Sequence, residues 1–131
     1  MKTEFQKLIM NYHLDSFGIV HHGRYLELFE EGRWHYCYEN GLIEKFHIRN
    51  IYHVVAGLSV KYRVSASFGD KITIETAVEK VTERSITFRQ IASKNNKIIT
   101  SANITNVFLR GKDNKVVNTT ELKQFWNDLL L

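Results

Sequence analysis

The chain of 131 residues has no proline, where average usage of about 5% would supply roughly six. That absence argues against proline-rich linkers and disordered tails. It has one cysteine, Cys37, which excludes an intrachain disulfide and suits a reducing compartment, where it reads as a small buried residue. No stretch approaches the roughly 18 apolar residues needed to span a bilayer. The opening MKTEFQKLIM carries Lys2, Glu4 and Lys7 and lacks the hydrophobic region of a signal peptide, so a soluble, cytoplasmic protein with no membrane partner is expected. Charge of one sign is scarce as well: 18 basic against 14 acidic residues leave a net +4 spread along the chain. With neither a basic stripe nor a nucleic-acid-binding motif, a nucleic acid partner is not expected, whereas a polyanionic small molecule fits. A GxSxG elbow is missing, which removes the usual serine-triad reading. His13, His21 and His22 lie near Asp15, but adjacent histidines are expected to point in different directions and no second cluster of Cys or His completes a ligand set. Neither a metal nor a cofactor is expected.

What is present suffices for one domain over residues 1–131, with 44% hydrophobic and 12% aromatic residues and nothing linker-like to divide it. The stretch from Asn11 to Gly41 carries the most information. From Gly23 to Asn40, Leu26, Phe29, Arg33, Tyr36 or Cys37 and Asn40 recur at spacings of three and four, which predicts a helix with one buried face. Gly41 supplies a left-handed stop, and the start falls near His22 or Gly23. The first turn of a helix presents unpaired N–H groups and positive potential, which stabilise an oxygen that becomes negative during a reaction. If Gly18 folds the chain back tightly, Asp15 faces the same small volume. A carboxylate beside an amide nest suits acyl transfer without serine or cysteine.

The rest of the chain reads as strands. Val54, Ala56, Leu58, Val60, Tyr62 and Val64 alternate with polar or small residues, as in a long half-buried strand. After a turn at Ser67–Asp70, Ile72, Ile74 and Val78 alternate again. Ile86 begins a third long strand, SKNNK is a tight polar turn, and Ile98–Leu109 is a fourth. Phe5 to Met10 suits a first strand, Leu42–Tyr52 is a mixed segment, and Thr119 or Thr120 to Leu131 reads as a short amphipathic helix capped by threonine. One early helix followed by long antiparallel strands is an α+β pattern, and the sheet must cover its apolar face with the only large helix available. Open sheet edges and a small core also favour pairing of subunits.

DSFGIVHHGRY followed by LELFEEGR resembles the signature of the hotdog-fold acyl-CoA thioesterases of the 4-hydroxybenzoyl-CoA thioesterase type: Asp15, Gly18, Ile19, Val20, His22, Tyr25, Glu30 and Arg33 match in order and spacing. The likeness continues more weakly through KYRVSASFGD, where Ser65 stands in place of the usual proline. The resemblance implies a hotdog fold, a curved antiparallel sheet wrapped around one long central helix, and a homodimer or homotetramer. It implies hydrolysis of an acyl-CoA or acyl-carrier-protein thioester, with Asp15 as nucleophile or general base, a backbone amide near His22 on the thioester oxygen, and His22 and Tyr25 shaping the site. Gly18, Val20, Phe29, Glu30 and Arg33 are then substrate-binding candidates. Lys61, Arg63, Arg84 with Ser85, Arg110 and Lys112 are candidates for the CoA phosphates from their places at strand ends. Each residue has a plainer reading beside this one: Asp15 as a turn residue, Glu30 and Arg33 as a surface ion pair, the cations as surface charge. An aromatic pocket of Tyr25, Phe29, Trp34, Tyr36, Tyr38 and Tyr62 is expected, and strand residues between Ala56 and Arg63 are expected to approach Asp15 and His22 of a partner subunit.

Overall fold

A computed structural model describes residues 1–130, and the end of the expected C-terminal helix at Leu131 lies outside them. Strand β1 (Lys2–Leu8) leads through a 3₁₀ turn at Asn11–His13 to helix α1 (Arg24–Glu39), a short helix α2 (Leu42–Ile48) and strand β2 (Ile51–Tyr62). Strands β3 (Lys71–Val81), β4 (Ile86–Lys94) and β5 (Lys97–Arg110) follow, then α3 (Thr119–Leu122) and a 3₁₀ turn at Asn127–Leu130. The five strands form one antiparallel sheet in the order β1-β3-β4-β5-β2, with β1 and β2 at its edges.

Local chemistry explains the element ends. The His21 ring Nδ1 accepts the Gly23 N–H at 3.0 Å and the His21 carbonyl accepts the Arg24 N–H at 2.9 Å, which sets the start of α1. Gly41 stops it in the left-handed conformation, φ +65°. Between β4 and β5 only Asn95 and Asn96 intervene, both at positive φ, the two-residue hairpin whose twist matches the flanking strands.

Helix α1 lies across the sheet so closely that a Cβ on Gly32 would stand 2.8 Å from Gln90 Nε2, Ile74 Cγ2 and Thr76 Oγ1. Its buried face comprises Tyr25, Leu28, Phe29, Gly32, Arg33, Tyr36 and Cys37. Leu26, expected inside, is instead 37% exposed, because the face is turned toward Tyr25 and Leu28. Two apolar clusters result, one around Phe29, Ile74 and Ile104, the other around Tyr36, Phe88, Phe108 and Trp126. A buried polar belt lies at Arg33, Gln90 and Thr76: Gln90 Nε2 donates to the Phe29 carbonyl (2.8 Å) and Thr76 Oγ1 (2.7 Å), while Arg33 Nη1 donates to Gln90 Oε1 (2.9 Å).

Several expectations are corrected. The mixed segment after Gly41 contains α2, which buries Leu42 and Phe46. The C-terminal helix breaks after Leu122, and its cap is Asn118, whose Oδ1 accepts the Thr120 N–H at 2.9 Å. Beyond the break, Trp126 packs on Phe46, Phe88 and Phe108 and donates through Nε1 to the Tyr36 hydroxyl at 2.9 Å. Strand β2 is not half-buried along its length. The register shifts between Val55 and Gly57, so Val54 and Leu58 lie on opposite faces, and Val54, Val55 and Leu58 are all exposed. None of the helices among the described residues is long and apolar enough to cross a membrane.

Candidate active site

The loop before α1 is held by short-range hydrogen bonds around Asp15. Asp15 Oδ1 accepts the Phe17 N–H at 2.8 Å and a longer contact from the Ile19 N–H at 3.4 Å. The Asp15 N–H donates to the Ile19 carbonyl (2.8 Å) and the Gly18 N–H to the Asp15 carbonyl (3.1 Å). Gly18 sits at φ +80°, a conformation that a Cβ would strain. The Val20 N–H then donates to the Ala66 carbonyl at 2.9 Å and fastens the loop to the chain that follows β2. Asp15 therefore does serve as a turn residue, but through one oxygen; among the described residues Oδ2 has no hydrogen-bond partner.

Asp15, Ile19, Val20, His22, Tyr25 and the strand end Tyr62–Ser65 line a cleft of about 370 Å³. The Tyr62 hydroxyl donates to the His22 carbonyl at 2.9 Å, and the Tyr25 and Tyr62 rings meet edge-on at 5.7 Å. This wall belongs to the same chain as Asp15. At the helix start, the Gly23 and Arg24 amides are occupied by His21. Among the described residues the His22 and Tyr25 amides take no hydrogen bond, so these are the donors left for an oxyanion. The His21 and His22 rings stack at 4.2 Å instead of pointing apart. His13 is buried, with Nδ1 accepting the Met10 N–H at 2.8 Å; burial lowers its pKa, assisted by the charges of Lys7 and Arg24. Burial raises the Tyr25 phenol, whose hydroxyl has no partner among the described residues.

Of the residues singled out from the sequence, Asp15, Val20, His22 and Tyr25 come together in the cleft, with Gly18 shaping the turn behind it. The others separate. Phe29 is wholly buried in the apolar cluster behind the cleft and does not line it. Glu30 is exposed and Arg33 is buried on Gln90, so neither lines the cleft, and the two form no ion pair among the described residues. Tyr36 is buried on Asp128, Tyr38 is solvent-exposed, and Trp34 rests on His53, so the expected aromatic pocket reduces to Tyr25 and Tyr62. Arg84 and Ser85 occupy the β3–β4 turn at the far end of the sheet. Val81 pairs with Ile86, Ile86 with Asn106 and Asn106 with Val55, seven residues along β2 from Tyr62, or about 23 Å. Lys61 points to the outer face of the sheet, away from the cleft. His53 packs among Trp34, Phe46 and Phe108. Val64 and Ser65 are the wall residues that the sequence reading missed; the motif KYRVSASFGD, with serine in place of proline, was the available signal.

Residues 17–98 match the thioesterase superfamily (4HBT). The chain belongs to that superfamily. It is similar to the long-chain acyl-CoA thioesterase FadM of Escherichia coli, 28% identical over 119 residues that cover 89% of each chain. It is 30% identical over 95 residues to the acyl-CoA thioesterase YbgC of Haemophilus influenzae, covering 69% of this chain and 68% of that one. Among solved structures, the probable thioesterase YbaW of Escherichia coli superposes with a TM-score of 0.83 at 26% identity, over 96% of this chain and 98% of the other. The α+β hotdog fold of this thioesterase superfamily member thus agrees with its sheet order and its helix-on-sheet packing.

Proposed function

We propose that this superfamily member hydrolyses acyl-CoA thioesters to the free acid and CoA, with Asp15 as the catalytic carboxylate. The observation that carries the reading is the convergence, in one cleft, of a carboxylate with an uncommitted oxygen and a helix start with uncommitted amides. A thioester carbonyl seated there directs its oxygen to the His22 or Tyr25 N–H, which stabilises the charge that develops as the carbon becomes tetrahedral. Asp15 Oδ2 then either attacks the carbon, expelling the CoA thiolate and leaving a mixed anhydride for water to open, or takes a proton from an attacking water. Both routes need the ionised carboxylate. Gly18 and Val20 hold the loop, Tyr25 and Tyr62 bound the acyl side, and the Tyr62 hydrogen bond to the His22 carbonyl orients the first turn.

The assay is release of free thiol from a panel of short, branched, aromatic, medium and long acyl-CoA thioesters, with carrier-protein thioesters alongside. Turnover of at least one CoA ester is expected. Cleavage of carrier-bound esters alone would reassign the substrate to an acyl carrier protein, and absence of any cleavage would leave a non-catalytic acyl-CoA binder. In labelled water, label in Asp15 after one turnover identifies the nucleophile route with water opening the anhydride at the Asp15 carbonyl, and trapping of an acylated Asp15 by rapid quench separates the general-base route from opening at the substrate's acyl carbon, both of which label the product.

A homodimer, alone or within a tetramer, is part of the same reading. Edge strand β2 exposes Val54, Val55 and Leu58 beside unpaired backbone groups, which a second copy would cover and so exclude water from the neighbouring cleft. Sedimentation across a dilution series, followed with specific activity, tests it: full activity in a demonstrated monomer would remove any need for the partner.

A further inference from the structure

Beneath the cleft lie two hydroxyls that the reading so far does not use. The Tyr25 ring forms part of the cleft wall while its hydroxyl is buried behind that wall, and the Thr100 hydroxyl of β5 is buried as well. Neither makes a hydrogen bond of ordinary geometry among the described residues. The surroundings are otherwise apolar, since Tyr25 belongs to the cluster of Val20, Phe29, Ile99 and Ile104. A valine at position 100 and a phenylalanine at position 25 would have nearly the same shapes with no oxygen to bury, and strands favour valine. The sheet register brings the two hydroxyls to one place. On the inner face Thr100 stands directly opposite Tyr62 of β2 and Ala92 of β4, with Ala102 next along β5. The alanines are too short to cover the Thr100 hydroxyl. Tyr62 is committed elsewhere: its hydroxyl donates to the His22 carbonyl at 2.9 Å, and its ring meets the Tyr25 ring edge-on at 5.7 Å. Tyr25 remains, and the Thr100 hydroxyl lies near enough to its phenol to offset part of the rise in pKa that burial imposes.

Tyr25 is the second residue of α1, and its amide is one of the two left for a thioester oxygen. Its side chain departs from the backbone beside that amide, so the depth at which the phenol is seated sets the height of the first turn over the cleft. Tyr62 restrains the same turn from the His22 carbonyl. We infer that Thr100 is a positioning residue for the reaction: its hydroxyl seats the Tyr25 phenol behind the cleft wall and so holds the His22–Tyr25 turn where its amides meet the developing oxyanion. Catalytic hydrogen bonds commonly tighten when substrate binds, and a thioester seated against the Tyr25 ring presses the pair to bonding distance. This rests on the thioesterase reading and adds to it a residue that lines no part of the cleft and that nothing in its local sequence marks. The tether acts on the transition state and not on binding, because the charge its turn receives appears only as the carbon becomes tetrahedral.

The experiment compares wild type with Thr100→Val, Thr100→Ser, Tyr25→Phe and the double variant Tyr25→Phe, Thr100→Val on the best acyl-CoA substrate, with thermal melting to verify that each folds. Thr100→Val should lower kcat about fivefold, the worth of one ordinary hydrogen bond, at unchanged KM, while Thr100→Ser, which keeps the hydroxyl, stays within about twofold of wild type. Tyr25→Phe should lose the same factor as Thr100→Val, and the double variant no more than either, since each removes the same interaction. In protein labelled with carbon-13 at the tyrosine Cζ, the Tyr25 signal, identified among the six by its absence from Tyr25→Phe, should move in Thr100→Val and return in Thr100→Ser. An unchanged kcat in Thr100→Val, a loss that Thr100→Ser fails to restore, losses that multiply in the double variant, or an unmoved Tyr25 signal each overturns the proposal. A wild type that cleaves no thioester brings down the thioesterase reading and this one with it, whereas an active wild type equalled by Thr100→Val refutes this one alone.

Discussion

Replacing Asp15 separates its role as a turn residue from its proposed role as the reacting carboxylate. The turn role needs only an acceptor at Oδ1 for the Phe17 N–H at 2.8 Å. Asp15→Asn keeps such an acceptor, so its stability should lie within about 0.5 kcal/mol of wild type. Asp15→Ala removes the acceptor from a half-exposed loop and should cost about 1 kcal/mol. Neither variant can act as nucleophile or base. General acid–base contributions are typically at least about a hundredfold, so both should lose at least that factor in kcat regardless of stability. The assay is thiol release from the best acyl-CoA substrate, with urea denaturation of each variant measured in parallel. Activity that follows stability, with Asn near wild type and Ala modestly reduced, would make Asp15 a turn residue and nothing more. Retention of more than about a tenth of the wild-type rate by Asp15→Asn would likewise remove it from the mechanism.

Two further outcomes concern the frame around the site. Burial, with Arg33 adding, lowers the His53 imidazole from 6.5 to about 4, so between these values the unfolded chain binds more protons than the folded one. Its contribution is therefore complete above pH 6.5 and fades as pH falls to 4, by about 3 kcal/mol at most, and His53→Asn should flatten the urea midpoint over that window; an unaltered slope would refute the assignment. Gly32→Ala should destabilise, because overpacking against Gln90, Ile74 and Thr76 at 2.8 Å costs about 1–3 kcal/mol and outweighs roughly 1 kcal/mol gained in helix propensity. A raised denaturation midpoint would mean that the helix can lift from the sheet at no cost.

Much of the candidate site was legible because it is made locally. The turn from Asp15 to Ile19 closes through hydrogen bonds spanning at most four residues and one glycine at positive φ, so residue type and spacing suffice to specify it. The stop at Gly41 and the turn at Asn95–Asn96 are local in the same sense. The strand alternations were legible too, since period two follows from the pleat. Their facing was not: the register shift between Val55 and Gly57 reverses β2 midway, and only pairing with β5 determines where it falls. Arg33 looked like the partner of Glu30 three residues away, but it lies under the helix on Gln90, 57 residues along the chain, because the close approach at Gly32 brings that strand to it. Tyr25 and Thr100 lie far apart in sequence, and their hydroxyls come near each other only because α1 is laid across the sheet. Sequence alone determined the Asp15 loop, the helix that follows it and the periodicity of the strands, since these depend on contacts within a turn or a pleat. The tertiary structure decided which face each residue meets, which hydroxyls converge and which aromatics are core, since strand order and helix height above the sheet are set by packing between distant segments.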